Sequence, residues 1–212
     1  MKSLNQYIIE KILINKSSKF INKKIKVESK EQLQSIIQKR YHNNNSFIDL
    51  TDIDISELDD LSGVFARLNK VEVIDISGWD TSNVRDMDAM FSQCKNLKNI
   101  IGIENLDVSK LKDANSMFYG CENLVELDLT KWNPVSLQYA SYMFTRCSNL
   151  KIIKNIENWQ LPNIMDVSSM FHDCTKLDVD LSNWDLTNVK DYLKKGIVDG
   201  SGITRNHYPK LN

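Results

Sequence analysis

From residue 46 onward, the apolar positions of the chain fall into one phrase that keeps returning. Its clearest form is Leu124-x-x-Leu127-x-Leu129-x-x-Trp132, a polar break, then Met143-Phe144-x-x-Cys147-x-Asn149-Leu150. Copies run through Val71, Ile74, Ile76 and Trp79, and through Leu177, Val179, Leu181 and Trp184, the last one residue short. The phenylalanines Phe65, Phe91, Phe118, Phe144 and Phe171 are spaced by 26, 27, 26 and 27 residues. The array begins before its cysteines do: Ile48-Asp49-Leu50 aligns with Ile74-Asp75-Ile76, Ile53 with Trp79, Leu58 with Val84 and Phe65 with Phe91. A fixed period of this size marks stacked supersecondary units, none of which can bury its apolar face alone.

Within a unit, Leu127-Asp128-Leu129 alternates with the period of a strand. Stretches such as Asp80-Thr81-Ser82-Asn83 and Asp185-Leu186-Thr187-Asn188 carry side chains that bond local backbone and turn the chain. Met87, Met90 and Phe91 follow at i, i+3, i+4, the spacing of one face of a short helix. The expected fold class is therefore α/β: a solenoid of parallel strands with short helices. The extra residue of the 27-residue units is expected near Ile101-Gly102 and Lys154-Asn155, as a bulge or loop.

The ends read differently. Residues 1–19 read as an N-terminal helix and linker, with Leu4, Tyr7, Ile8 and Ile12 spaced to share one stripe. A lone helix of that length is marginal in water, so it either packs on the array's end or docks on another protein. Residues 20–45 form an N-terminal cap. Lys24-Ile25-Lys26-Val27 alternates like a strand, and Ser29 with Gln32 opens a helix over 30–41 as a capping box. Leu33, Ile36 and Ile37 give that helix an apolar face. Residues 46–190 are the repeats. In 191–212, Lys194-Lys195-Gly196 stands where Met-Phe-x-x-Cys is due, which predicts a degenerate C-terminal cap or frayed tail.

Trp79-Asp80-Thr81-Ser82-Asn83-Val84, followed by Met90-Phe91-x-x-Cys94-x-Asn96-Leu97, resembles the BspA-like leucine-rich repeat family, with repeats of about 26 residues. The resemblance covers residues 46–190 and implies a leucine-rich-repeat solenoid; because an array needs its first core layer covered, the helix at 30–41 is its candidate N-terminal cap. It also implies protein binding or bacterial surface adhesion. The chain departs from that pattern by showing no secretion signal and no wall anchor. The opening Met1–Ile8 is similar to short leaders on proteins of large tailed bacteriophages. That resemblance implies a phage-encoded virion component docked by its N-terminal helix.

Composition adds a charge asymmetry. The net charge of −1 conceals ten Lys/Arg against three Asp/Glu in residues 1–45, and seventeen against twenty-five in the remainder. Such a split points to two surfaces with different partners, or to two solvated faces. With 42% hydrophobic residues the chain is long and apolar enough to fold. No run approaches the ~18 apolar residues of a membrane-spanning helix. The expected location is the cytoplasm of the producing cell or the virion.

The chemistry-bearing residues point away from catalysis. Cys94, Cys121, Cys147 and Cys174 share one slot of the repeat and so form a row, whereas tetrahedral zinc needs ligands converging on a point. Adjacent rungs come within reach of a disulfide, but an unexported chain favours free thiols in a small core slot. His172 precedes Asp173 and Cys174, but neighbours on a helix point apart, which disfavours a nucleophilic pair. No phosphate loop occurs. The expectation is no enzyme, no cofactor and no metal.

A row of acids is the candidate recognition surface. Asp49, Asp75, Asp128 and Asp180 hold one outward strand position, and Glu72, Glu126 and Asp178 add to it. Stacked like charges cost stability, which a basic partner or a cation would relieve. The plainer reading is a solvated face that keeps an exposed sheet from aggregating. Negative charge also disfavours nucleic acid. The expected function is a non-catalytic module that recognises a protein partner through the strand face, with Asp49, Asp75, Glu126, Asp128 and Asp180 as its contacts.

Overall fold

A computed structural model describes residues 24–43 and 46–211. The proposed docking residues Leu4, Tyr7, Ile8 and Ile12 lie outside them. The described chain is mixed α/β with parallel strands and one α-helix. Strands β1 (Ile25–Lys26), β2 (Phe47–Asp49), β3 (Ile53–Asp54), β4 (Val73–Asp75), β5 (Asn99–Ile101), β6 (Glu126–Asp128) and β7 (Ile152–Lys154) are all short. β2 pairs with β4 and β4 with β5, so that Ile48, Ile74 and Ile100 lie over one another; β6 pairs with β7, setting Leu127 over Ile153. The register equals the sequence period, because any slip would turn each inward side chain to solvent.

Phase holds through the core. Phe65, Phe91, Phe118, Phe144 and Phe171 form a column with centroids 5.1, 5.5, 5.5 and 5.4 Å apart and rings within 7° of parallel. Trp132, Trp159 and Trp184 make a second column at 6.0 and 6.2 Å. Parallel-offset rings keep their apolar faces covered, and each contact adds attraction beyond area burial. All these rings belong to one buried cluster.

The Met-Phe segments are not helices, contrary to the spacing argument. They are successive turns: the Met90 N–H donates to the Met87 carbonyl at 3.2 Å and Cys94 to Phe91 at 3.1 Å. Between these turns the chain enters positive φ at Ala89 (52°) and Gln93 (62°). A left-handed residue every fourth position breaks the i to i−4 ladder. The remaining donors reach sideways to the next coil: Met87 to Asp113 at 2.9 Å, Ala89 to Asn115 at 2.8 Å, Phe91 to Met117 at 2.8 Å and Gln93 to Tyr119 at 2.7 Å. The i, i+3, i+4 pattern thus matched a face, but of a turn stack whose hydrogen bonds run between coils. Intercoil bonding also explains the recurring Asn: the amides of Asn96, Asn123 and Asn149 donate to the carbonyls of Asn69, Lys95 and Glu122.

The extra residue of the longer units lies where the sequence located it. Gly102 (φ 92°) and Asn155 (φ 72°) open 3-10 turns over Ile103–Asn105 and Ile156–Asn158. A Cβ on Gly102 would overlap the Ser77 backbone, so this site needs glycine for space as well as conformation. The turn has a cost in pairing: β5 and β6 belong to separate sheets although Phe91 and Phe118 stay stacked across the same step. The coil is therefore closed on its turn side and parted on its strand side.

At the first end, α1 (Lys30–Asn43) contributes Leu33 and Ile37 to the common core. The Gln32 N–H donates to the Ser29 hydroxyl at 3.3 Å, while the Gln32 side chain accepts from the Glu28 N–H, one residue before the expected N-cap donor. β1 pairs with β3 in parallel. At the other end the expected fraying is absent. Phe171 N–H donates to Ile197 at 2.8 Å, Asp173 to Asp199 at 2.9 Å and Leu181 to His207 at 2.9 Å. Ile197 and Val198 are buried in the slots of Met and Phe, and Gly196 and Gly200 take the two positive-φ positions. Residues 191–211 lose the side-chain motif but keep its backbone requirements.

Candidate functional site

The four cysteines are free and fully buried. Each thiol donates to the carbonyl of the phenylalanine one coil back: Cys94 to Phe65 at 3.0 Å, Cys121 to Phe91 at 3.2 Å, Cys147 to Phe118 at 3.0 Å and Cys174 to Phe144 at 2.9 Å. Burial pushes the Cys94 and Cys174 thiols up to about 12. The thiolate, which is the reactive form, is thereby suppressed. His172 lies beside Asp173, its Nε2 3.5 Å from the carboxylate, while the Cys174 thiol points to Phe144. Among the described residues no group of three or more His, Cys, Asp or Glu is placed to hold a metal ion.

The acidic row requires correction. Asp49 does sit beside Asp75 on the adjacent rung. Asp75, however, is buried (3% exposed), and Asp49 is half-buried. Each carboxylate of the row accepts the backbone N–H two residues on: Asp49 from Thr51, Asp75 from Ser77, Asp128 from Thr130 and Asp180 from Ser182, at 2.9 to 3.2 Å. These aspartates form turns, the role in which a short acid competes best with regular structure.

Nor is the strand face uniformly acidic. Lys154 lies 2.7 Å from Glu126 and 3.1 Å from Asp128, and Lys98 lies 3.0 Å from Glu72. The Thr130 hydroxyl and then Lys154 hold the Asp128 carboxyl below its usual range, while Glu126 and Asp128 raise the Lys154 ammonium. Between the two sheets this face opens into a cleft of about 540 Å³, bordered by Ile100, Gly102, Glu126 and Asp128. Glu126, Asp128 and Asp180 thus remain accessible, but two of the three are already paired with a lysine.

The turn chemistry recurs at the other corners, through Asp54 with Ser56, Asp80 with Ser82, Asp107 with Ser109 and Asp185 with Thr187. This Asp-x-Ser/Thr rhythm was readable in the sequence and is what fixed the strand-end acids. The crowded acids lie elsewhere. Asp60, Asp86, Asp113, Tyr139 and Asp166 bridge one another in a single column beside the Met-Phe turns. Burial pushes the Asp88 carboxyl up, and Asp113, Asp86 and Asp60 push it the same way. Asp113 is raised by burial and by Asp86. Burial alone would raise Asp60 too, but hydrogen bonds from Lys30 and Ser62 bring it below its ordinary value. The same corner exposes Tyr139 (38%), Tyr142 (46%), Met165 (44%) and Tyr192 (67%). Among the described residues no helix is long and apolar enough to cross a membrane.

A family model described as "Mycoplasma protein of unknown function, DUF285" matches residues 31–152 and 99–195. No curated protein matches. A solved structure of a leucine-rich repeat protein from Eubacterium ventriosum is similar at 19% identity and a TM-score of 0.47. The similarity covers 77% of this chain and 39% of that one, so the chain spans well under half the length of its structural neighbour. The bacteriophage origin read from Met1–Ile8 has no support in these comparisons.

Proposed function

This chain belongs to the DUF285 family, and on that premise we propose that it is a non-catalytic module that binds a protein partner through the outer surface of a leucine-rich-repeat solenoid. In this reading the coils are the repeats and α1 covers the first of them. The observation that carries it is the fate of the reactive groups. The thiols are committed to intercoil hydrogen bonds, and the strand-end aspartates to turns. What repeats at the surface is rigid spacing, which suits recognition of an extended partner. Glu126 and Asp128 on β6, and Asp180 on a later coil outside the strands, are the accessible members of the five candidate acids and the first contacts to test.

The experiment is cross-linking in cells of the source organism, identification of the linked protein, and measurement of its affinity for the purified chain. A triple Glu126→Lys, Asp128→Lys, Asp180→Lys variant should bind at least tenfold more weakly. A partner that binds this variant unchanged moves the contact off the strand face. Turnover of a substrate by the purified chain would overturn the non-catalytic reading.

A further inference from the structure

The corner beside the Met-Phe turns changes character along the array. Asp86 bridges Asp113, Asp113 bridges Tyr139 and Tyr139 bridges Asp166, so an exposed aromatic ring interrupts the column of carboxylates. The neighbouring column passes from Arg85 and Lys112 through Gln138 to Met165, whose N–H donates to Gln138 at 2.8 Å. The Val167 N–H donates to Leu193 at 2.9 Å, which carries the exposed Tyr192 onto the coil after Met165. Tyr139, Met165 and Tyr192 therefore lie exposed on successive coils, Met165 and Tyr192 in the column of Arg85 and Lys112 and Tyr139 in the adjoining column of Asp113 and Asp166.

Charge distinguishes this corner from the strand face. There, Lys154 and Lys98 pair with the acids in cis. Here, among the described residues, Asp86, Asp88 and Asp113 make no ion pair, and the charges acting on Asp88 are those of Asp113, Asp86 and Asp60. With coils about 4.8 Å apart, the distance from Asp113 to Tyr192 is on the order of 14 Å, the reach of about five extended residues.

We propose that this corner docks an extended segment of a protein partner, a short basic and apolar stretch. Its aliphatic or aromatic side chains lie on Tyr139, Met165 and Tyr192, and its lysine or arginine reaches Asp86, Asp88 and Asp113. The inference rests on the protein-binding reading and names the chemistry of the partner. Exposed tyrosines supply both apolar area and a face for a cation. Crowded carboxylates gain most from an incoming positive charge, and a contact of this kind weakens with salt.

The test is selection of a random octapeptide display library on the folded full chain, followed by affinity measurement with the enriched synthetic peptides. Enrichment of sequences combining Lys or Arg with Leu, Phe or Tyr is expected. Their affinity should fall at least tenfold in Tyr139→Ser with Met165→Ser, and at least threefold in Asp88→Asn with Asp113→Asn, which keeps the turn-forming oxygen of residue 113. The first loss should persist at high salt and the second should vanish. Enrichment of acidic or purely polar peptides, no enrichment at all, or binding indifferent to both double variants would overturn the proposal. If the cross-linked partner still loses affinity only in the strand-face variant, the corner assignment falls while the binding function stands.

Discussion

The Cys147 thiol donates to the Phe118 carbonyl one coil back at 3.0 Å, and the same oxygen accepts the Cys121 N–H at 3.0 Å. One carbonyl thus serves a turn within its own coil and a bond to the next. The arrangement repeats at Phe65, Phe91 and Phe144. It explains why the slot holds cysteine: a small apolar side chain with a weak donor at its tip.

Native thiols should resist alkylation. With all four buried and Cys94 and Cys174 raised to about 12, iodoacetamide at neutral pH should modify none until denaturant is added. Mass spectrometry across a urea series checks this, and labelling should track unfolding. Modification of the native chain would mean that the column opens locally.

Removing one thiol should be mild, because the Phe118 carbonyl keeps its backbone donor. Cys147→Ala should cost about 1–2 kcal/mol, chiefly for the small cavity. Phe118→Ala removes a ring stacked on both sides and should cost about 3–5 kcal/mol. Urea denaturation of the two variants should preserve that ranking.

The 3-10 insertion makes a position-specific prediction. Gly102→Ala forces a Cβ against the Ser77 backbone at positive φ and should destabilise by more than about 2 kcal/mol. Asn155→Gly, at the matching position, relieves positive φ but gives up amide bonds to the Leu129 and Thr130 carbonyls, so it should shift stability by under about 1 kcal/mol. Thermal melts of both variants distinguish the sites.

The last coil should be sensitive to pH. His207 Nδ1 lies 2.8 Å from Asp178, which raises the imidazole and lowers the carboxyl. A raised histidine contributes fully below its unfolded value of about 6.5 and loses the contribution as pH rises through the folded value. The lowered Asp178 contributes above its unfolded value of about 3.9 and loses that as pH falls through the folded one. Between those limits the Leu181 amide, bonded to His207 at 2.9 Å, should be best protected from hydrogen exchange after correction for intrinsic rate. In His207→Gln the alkaline loss should disappear.

How much of this was legible depends on range. The period, the aromatic columns, the cysteine row and the location of the extra residue all follow from phase in the sequence, because side chains one coil apart must fill one layer. The helix assigned to Met87, Met90 and Phe91 failed for a physical reason. Apolar spacing reports which side chains face inward, not where the N–H groups go, and here the neighbouring coil supplied the acceptors. The strand-end acids misled differently: alternation placed Asp75 outward, its local bond with Ser77 was legible but outweighed by that alternation, and its burial came from the fold. The C-terminal segment hid its membership because Gly196 and Gly200 preserve φ rather than a side-chain motif.

By itself, then, the sequence determined that the chain stacks in coils and which side chains form the core, since hydrophobic periodicity is a local record of burial. Only the tertiary structure decided that turns replace helices, that the sheet parts at β5 and β6, and which acids crowd together. Those outcomes depend on hydrogen-bond partners and charges brought together from different coils, and no single stretch of sequence contains both members of such a pair.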